Sequence, residues 1–242
     1  MLAHLPDPRR YFYFDLILPI NQLFGFIFMI LSGYMLNTMG HGIRWPLDRN
    51  DEERNSTKEY YGGVNFHGMF MSTSLIFFQG EALLSYRLYR YEVKSISRYF
   101  HVLFHFLVVV LFSVALAVII VHKGISNESH FKSVHSWIGI ALMFMYFIHF
   151  GFGFISRAFR PLHRTVGFML FSISYIQATI GFFRYVDSHG ECPNDRDAPL
   201  VCGNYNFVFN FIVIFCTLYA VTVAVLVFPD IWHREKTIEE VD

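Results

Sequence analysis

Along the chain, stretches of about 20 apolar residues alternate with short polar segments, the pattern of helices long enough to cross a bilayer. Six such helices are predicted, over Leu16–Leu36, Val64–Leu88, Tyr99–Val121, Val134–Ile155, Leu162–Arg184 and Phe207–Phe228. The expectation is an all-α integral membrane protein with six transmembrane helices and one membrane domain over residues 1–242. Pro19 sits near the start of the first stretch, where a helix tolerates it. Residues Met1–Arg10 carry charge without a signal-peptide pattern, so the first helix reads as a retained anchor. The most polar stretch, Gly40–Gly63, reads as a solvated loop.

Composition strengthens this picture. The 242 residues are 54% hydrophobic, and 29 phenylalanines are hard to hide in one soluble core of that length. The formal net charge is zero and gives no reason to expect nucleic acid. With both termini placed in the cytosol, the inner segments hold eleven of the 19 Lys and Arg residues, a weak positive-inside bias. The sequons at Asn55 and Asn127 then fall in outer loops. So do Cys192 and Cys202, which an oxidising compartment would let pair, with two free loop thiols as the alternative. Cys216, inside the last stretch, reads as a small buried residue. These marks describe a multi-pass protein of the plasma membrane or an endomembrane, with the lipid bilayer as its first partner.

Four of the six stretches carry a histidine at or near one end. His67, His101, His135 and His163 are separated by 34, 34 and 28 residues, roughly one crossing plus a loop each time. A chain that crosses every time brings His67 and His135 to one face and His101 and His163 to the other. Two facing imidazoles at each of two depths are what two six-coordinate haems need inside a four-helix bundle. His105 lies one turn beyond His101 on the same helix face, so spacing alone does not choose between them. His149 follows His135 by 14 residues and returns to the same face about 21 Å deeper. A scheme with two ligands on each of two helices needs a second such pair, yet Glu81 and Ala115 stand at the equivalent offsets from His67 and His101. Glu81 itself is an acid deep in an apolar stretch and should face a partner or the bundle interior. A haem-free metal-ion carrier or scaffold is the competing class, with the histidines and the acidic loop handling zinc or iron directly. Against it, the candidate ligands sit at helix ends in two layers and not in one midplane cluster.

Several local motifs sharpen the choice. The second stretch reads His67-x3-Met71, then Phe78-Gln79-Gly80-Glu81-Ala82 and Tyr86-Arg87. The third carries His101-Val102-Leu103-Phe104-His105, the fourth His135-Ser136-Trp137-Ile138-Gly139, and the fifth His163 with Gly167 following. In this order and spacing the chain resembles the eukaryotic cytochrome b561 family, over about Asn65 to Phe171 and more weakly in the outer two helices. The resemblance implies a six-helix fold whose helices 2–5, about residues 65–184, hold two b haems. By position, His67 and His135 would ligate the iron of the outer haem, and His101 and His163 that of the inner one. His105 is then left as a neighbouring or packing residue.

The same resemblance implies an ascorbate-dependent transmembrane reductase. Cytosolic ascorbate would be the donor, and monodehydroascorbate or ferric iron the acceptor on the lumenal or extracellular side. It also implies a homodimer as a partner state. Lys94 and Arg98 are best placed beside His101 to attract an anionic donor, within a basic rim that includes Arg87, Arg90, Arg157, Arg160 and Arg164. On the outer side His122, His130 and Lys132 are candidates for the acceptor. Three departures from the family pattern touch the substrates more than the haems: a shorter loop between helices 4 and 5, Lys132 in place of a tyrosine, and His149 in place of a glutamine. A di-haem protein fed by a quinol or a partner protein is the remaining alternative.

Overall fold

The computed structural model describes residues 11–39, 42–46, 62–155, 159–189, 205–229 and 232, and among them all regular structure is helical. Helix α1 covers Phe12–Thr38. Helix α2 is one run of three pieces: α-helical Gly62–Ser72, π-helical Thr73–Phe78 and α-helical Gln79–Leu88. Helices α3, α4, α5 and α6 cover Lys94–Ile125, Val134–Phe152, Arg160–His189 and Tyr205–Val227. Five of these, all but α2, are long and apolar enough to cross a membrane. Helix α2 differs because its second half is polar, and Gln79, Glu81, Ser85 and Arg87 are all buried inside the bundle. Large apolar side chains such as Phe144, Ile148, Met169, Ile176, Ile214 and Val221 face outward instead, as a lipid-facing surface requires.

Two boundaries differ most from the sequence expectation. Helix α3 begins at Lys94, more than a turn before Tyr99, because its polar first turn is held by local bonds and not by apolar packing. The Ser97 hydroxyl donates to the Tyr89 carbonyl at 3.0 Å, which ties that turn to the end of α2. Helix α5 runs past Arg184 to His189.

Two apolar cores organise the packing. The larger joins α1 and α6 to the flank of α2 and α5 through Phe14, Phe28, Met35, Ile212, Tyr219 and Val223. The Asn21 amide on α1 donates to the Tyr219 carbonyl at 3.2 Å and to Thr222 Oγ1 at 2.7 Å, pinning the helix pair in register. The smaller core is built from Leu75, Val108, Phe112, Leu142, Met143, Tyr146 and Leu170 of α2–α5. On every one of those four helices its residues lie between the two histidine levels, so it forms an apolar plug across the middle of the bundle.

Buried polar groups hold the same elements together. Glu81 accepts from the Gln22 amide of α1 at 2.9 Å and lies 3.0 Å from the Tyr219 hydroxyl of α6. That hydroxyl is also 3.0 Å from the Phe77 carbonyl in the π-helical piece, whose altered bonding leaves a carbonyl available. Gly80 is required beneath it, since a Cβ there would collide with the Tyr219 hydroxyl. Arg87 donates to the carbonyls of Val227 and Pro229 and so caps the end of α6. Arg90 pairs with Asp15 and lies 4.7, 4.6 and 4.5 Å over the rings of Tyr11, Phe14 and Tyr91. Arg87 and Arg90 therefore serve packing, and the basic rim loses two of its members.

Candidate cofactor site

The antiparallel order of α2–α5 brings the four histidines together in two pairs. The rings of His67 and His135 stand 6.4 Å apart, centroid to centroid, at an interplanar angle of 80°. Those of His101 and His163 stand 6.1 Å apart at 69°. An imidazole nitrogen binds a transition metal at about 2 Å and lies roughly 1.1 Å from its own ring centroid, so two rings on opposite sides of one iron would stand about 6.2 Å apart. Both pairs match that span.

The distal ring nitrogens tell a consistent story for His67 and His101. His67 Nδ1 lies 3.1 Å from the Ala115 carbonyl and His101 Nδ1 lies 2.8 Å from the Ala82 carbonyl. A carbonyl can only accept, so each Nδ1 carries the proton and each Nε2 keeps its lone pair for a metal. For His135 the polar neighbour is Gln177, whose amide nitrogen donates to the His135 carbonyl at 2.5 Å and lies 3.0 Å from Nδ1; an amide nitrogen only donates, so this contact holds the ring without placing a proton on Nδ1. His163 is the exception. Among the described residues its buried Nδ1 finds no hydrogen-bond partner, and its ring is instead stacked on His149, 4.3 Å between centroids and 9° from parallel.

Around the first pair lies a cavity of about 630 Å³ whose walls include His122, Lys123, His130 and Arg184. That volume falls in the ~300–1,000 Å³ range of cofactor pockets. Gly181 keeps it open beside His135, where a Cβ would come within 2.9 Å of the ring. Facing imidazoles at iron-spanning distance, the tautomers fixed at His67 and His101, and a glycine-relieved cavity all fit a haem. Among the described residues no group of three or more His, Cys, Asp or Glu side chains gathers as a metal site of its own.

The remaining sequence candidates separate cleanly. His105 is tied by Nδ1 to the Tyr146 hydroxyl at 2.5 Å, and its ring stands edge-on to His101 at 4.5 Å. Of the two rings that spacing left open, His101 is the one that faces His163. His122 is buried on the last turn of α3, not a solvated loop residue, and packs against Gly63. Lys132 is exposed in the turn before α4 and is not part of the cavity wall. Lys94 and Arg98 are exposed on the first turns of α3, at the same end of the bundle as His101. Asn127 adopts a positive φ of 56° in the turn after α3. Asn55, Cys192, Cys202, His4, His41, His233 and Arg157 lie outside the described residues, as does the side chain of His189.

Gln177, Arg184 and Lys123 were not singled out by the sequence. A signal existed for Gln177, which follows His163 by 14 residues and therefore returns to the same side of α5 at the other histidine level. Nothing comparable marked the stack of His149 on His163, which joins the end of one helix to the start of the next.

Fold and site together define a bundle of membrane-type helices that presents paired imidazoles at two levels, an arrangement suited to a membrane cytochrome. The chain belongs to the eukaryotic cytochrome b561 family, whose sequence profile matches residues 66–188, and membership implies haem b. It is 28% identical over 246 residues to the Caenorhabditis elegans homolog of the transmembrane ascorbate-dependent reductase CYB561, covering 94% of this chain and 87% of that protein. Against the human transmembrane ascorbate-dependent reductase CYB561 it is 29% identical over 172 residues, 66% of this chain and 63% of the relative. An Arabidopsis thaliana protein named transmembrane ascorbate ferrireductase 2 is 28% identical over 136 residues, 50% of this chain and 57% of its own length.

Proposed function

We propose that this chain is a transmembrane ascorbate-dependent reductase that passes electrons from cytosolic ascorbate through two b haems to an acceptor on the opposite face. The observation that carries the reading is the matched spacing of 6.4 and 6.1 Å in the two histidine pairs, each suited to one iron. His67 and His135 would hold the outer haem, His101 and His163 the inner one. A haem b held by such a pair of imidazoles would supply one-electron exchange there, without oxygen chemistry.

The chain's other residues then divide the work. Ala115, Ala82 and Gln177 keep three of the imidazoles oriented. The plug of Val108, Phe112, Tyr146 and Leu170 excludes water between the two levels, so charge crosses as electrons and not as ions. Lys94 and Arg98 raise the local concentration of anionic ascorbate at the inner end. At the outer end the cationic wall of Lys123 and Arg184, with His122, suits an anionic acceptor, either monodehydroascorbate or a chelated ferric ion. The names of the worm, human and plant relatives support the donor, and the plant name supports ferric iron as one acceptor. This reading has six crossings in one membrane domain over residues 1–242, with both termini cytosolic.

Proteoliposomes loaded with ascorbate test it. Vesicles holding the protein are expected to reduce an external ferric chelate, and vesicles holding His101→Ala to lose that activity. Equal reduction by protein-free vesicles contradicts the proposal.

A further inference from the structure

Three of the four paired imidazoles are held by a polar partner near Nδ1, and His163 is not. A histidine ring turns about a broad, two-fold χ2 torsion, so a ring bound to metal through one nitrogen stays free to rotate unless something else holds its plane. For His67, His101 and His135 that something is Ala115, Ala82 or Gln177. The Nδ1 of His163 is buried and has no hydrogen-bond partner among the described residues.

What meets His163 is a face. The ring of His149, at the end of α4, lies nearly parallel to it at 4.3 Å. His149 is itself buried, 7% exposed, and His163 is half-buried. Two glycines make the room. A Cβ on Gly153 would come within 3.2 Å of His163 Cε1, and one on Gly167 would come within 3.1 Å of His149 Nε2. A side chain at either position would therefore press on one of the two rings.

We infer that His149 is a positioning residue whose ring face sets the plane of the His163 imidazole, in the role that hydrogen bonds play for the other three histidines. The inference rests on the proposed ligation by His101 and His163. It makes the inner site the one whose ligand geometry depends on packing and not on a polar partner. His149 is assigned no bond to the metal.

Low-temperature electron paramagnetic resonance of the oxidised, detergent-purified holoprotein tests this, because the g-values of a low-spin bis-imidazole haem depend on the angle between the two ring planes. The wild type is expected to show two low-spin signals, one removed by His135→Ala and the other by His163→Ala. In His149→Ala the signal assigned through His163 should shift or be lost while the other stays in place. His149→Phe, which keeps a flat ring, should return the shifted signal to its wild-type position. An unmoved signal in His149→Ala overturns the inference and leaves the two-haem reading standing, and so does a phenylalanine variant displaced as far as the alanine one. Loss of both signals in both His149 variants also overturns it. If His163→Ala removes neither signal, the ligand reading itself fails and the inference falls with it.

Discussion

The Nδ1 of His101 and the carbonyl oxygen of Ala82 lie 2.8 Å apart, linking α3 to the end of α2. Ala82 directly follows Glu81, which is held from α1 by Gln22 and from α6 by Tyr219. A peripheral pair of helices is thus connected, through one buried carboxyl group and one backbone carbonyl, to the orientation of an imidazole in the central bundle.

Tyr219→Phe removes the hydroxyl shared by Glu81 and the Phe77 carbonyl. A buried polar group stripped of a partner costs about 1–3 kcal/mol. The variant is expected to melt at a lower temperature in detergent and to retain less of the inner haem than the wild type. Thermal unfolding followed by haem absorbance measures both, and an unchanged transition contradicts the link.

The four paired histidines should separate by variant. His67→Ala and His135→Ala are each expected to lose the outer haem selectively, and His101→Ala and His163→Ala the inner one. Pyridine haemochrome content and redox titration of each purified variant show which component remains. Equal loss of both haems in all four variants contradicts the pairing.

Gln177→Leu keeps the size of the side chain and removes its contacts with the His135 carbonyl and Nδ1. Loss of an outer-shell partner of a metal ligand costs roughly 10–100-fold in affinity. Haem transfer to apomyoglobin should therefore quicken for the outer site alone, and unchanged transfer kinetics would show that Gln177 does not hold the ring.

Arginines at the inner end are predicted to differ in kind from their basic neighbours. Arg87→Ala leaves the Val227 and Pro229 carbonyls uncapped and should lower thermal stability. Lys94→Ala and Arg98→Ala, both at exposed positions, should leave stability near wild type and raise the KM for ascorbate severalfold. Loss of stability in the exposed pair, or a KM effect confined to Arg87→Ala, reverses these assignments.

How much of this was legible in the sequence follows from what each feature depends on. The two histidine levels could be read because crossing length is nearly constant, so residue number stands in for depth. Glu81 was recognisable as needing a partner, but not its partners, since Tyr219 lies 138 residues away on another helix. Arg87 and Arg90 resemble topology markers in sequence and become packing groups only when the ends of α6 and α1 arrive beside them. The polar start of α3 carries no hydropathy signal, and the π-helical piece of α2 leaves no periodic trace over six residues. His149 and His163 meet because α4 ends where α5 begins, a relation that helical periodicity within either segment does not contain.

The most direct measurement is a reduced-minus-oxidised spectrum of the detergent-purified protein, with haem quantified per chain and ascorbate as reductant. Two imidazole pairs at iron-spanning distance predict about two b-type haems per chain, reduced by ascorbate. Well-folded protein that carries no haem contradicts that prediction outright and returns the histidines to packing or direct metal handling.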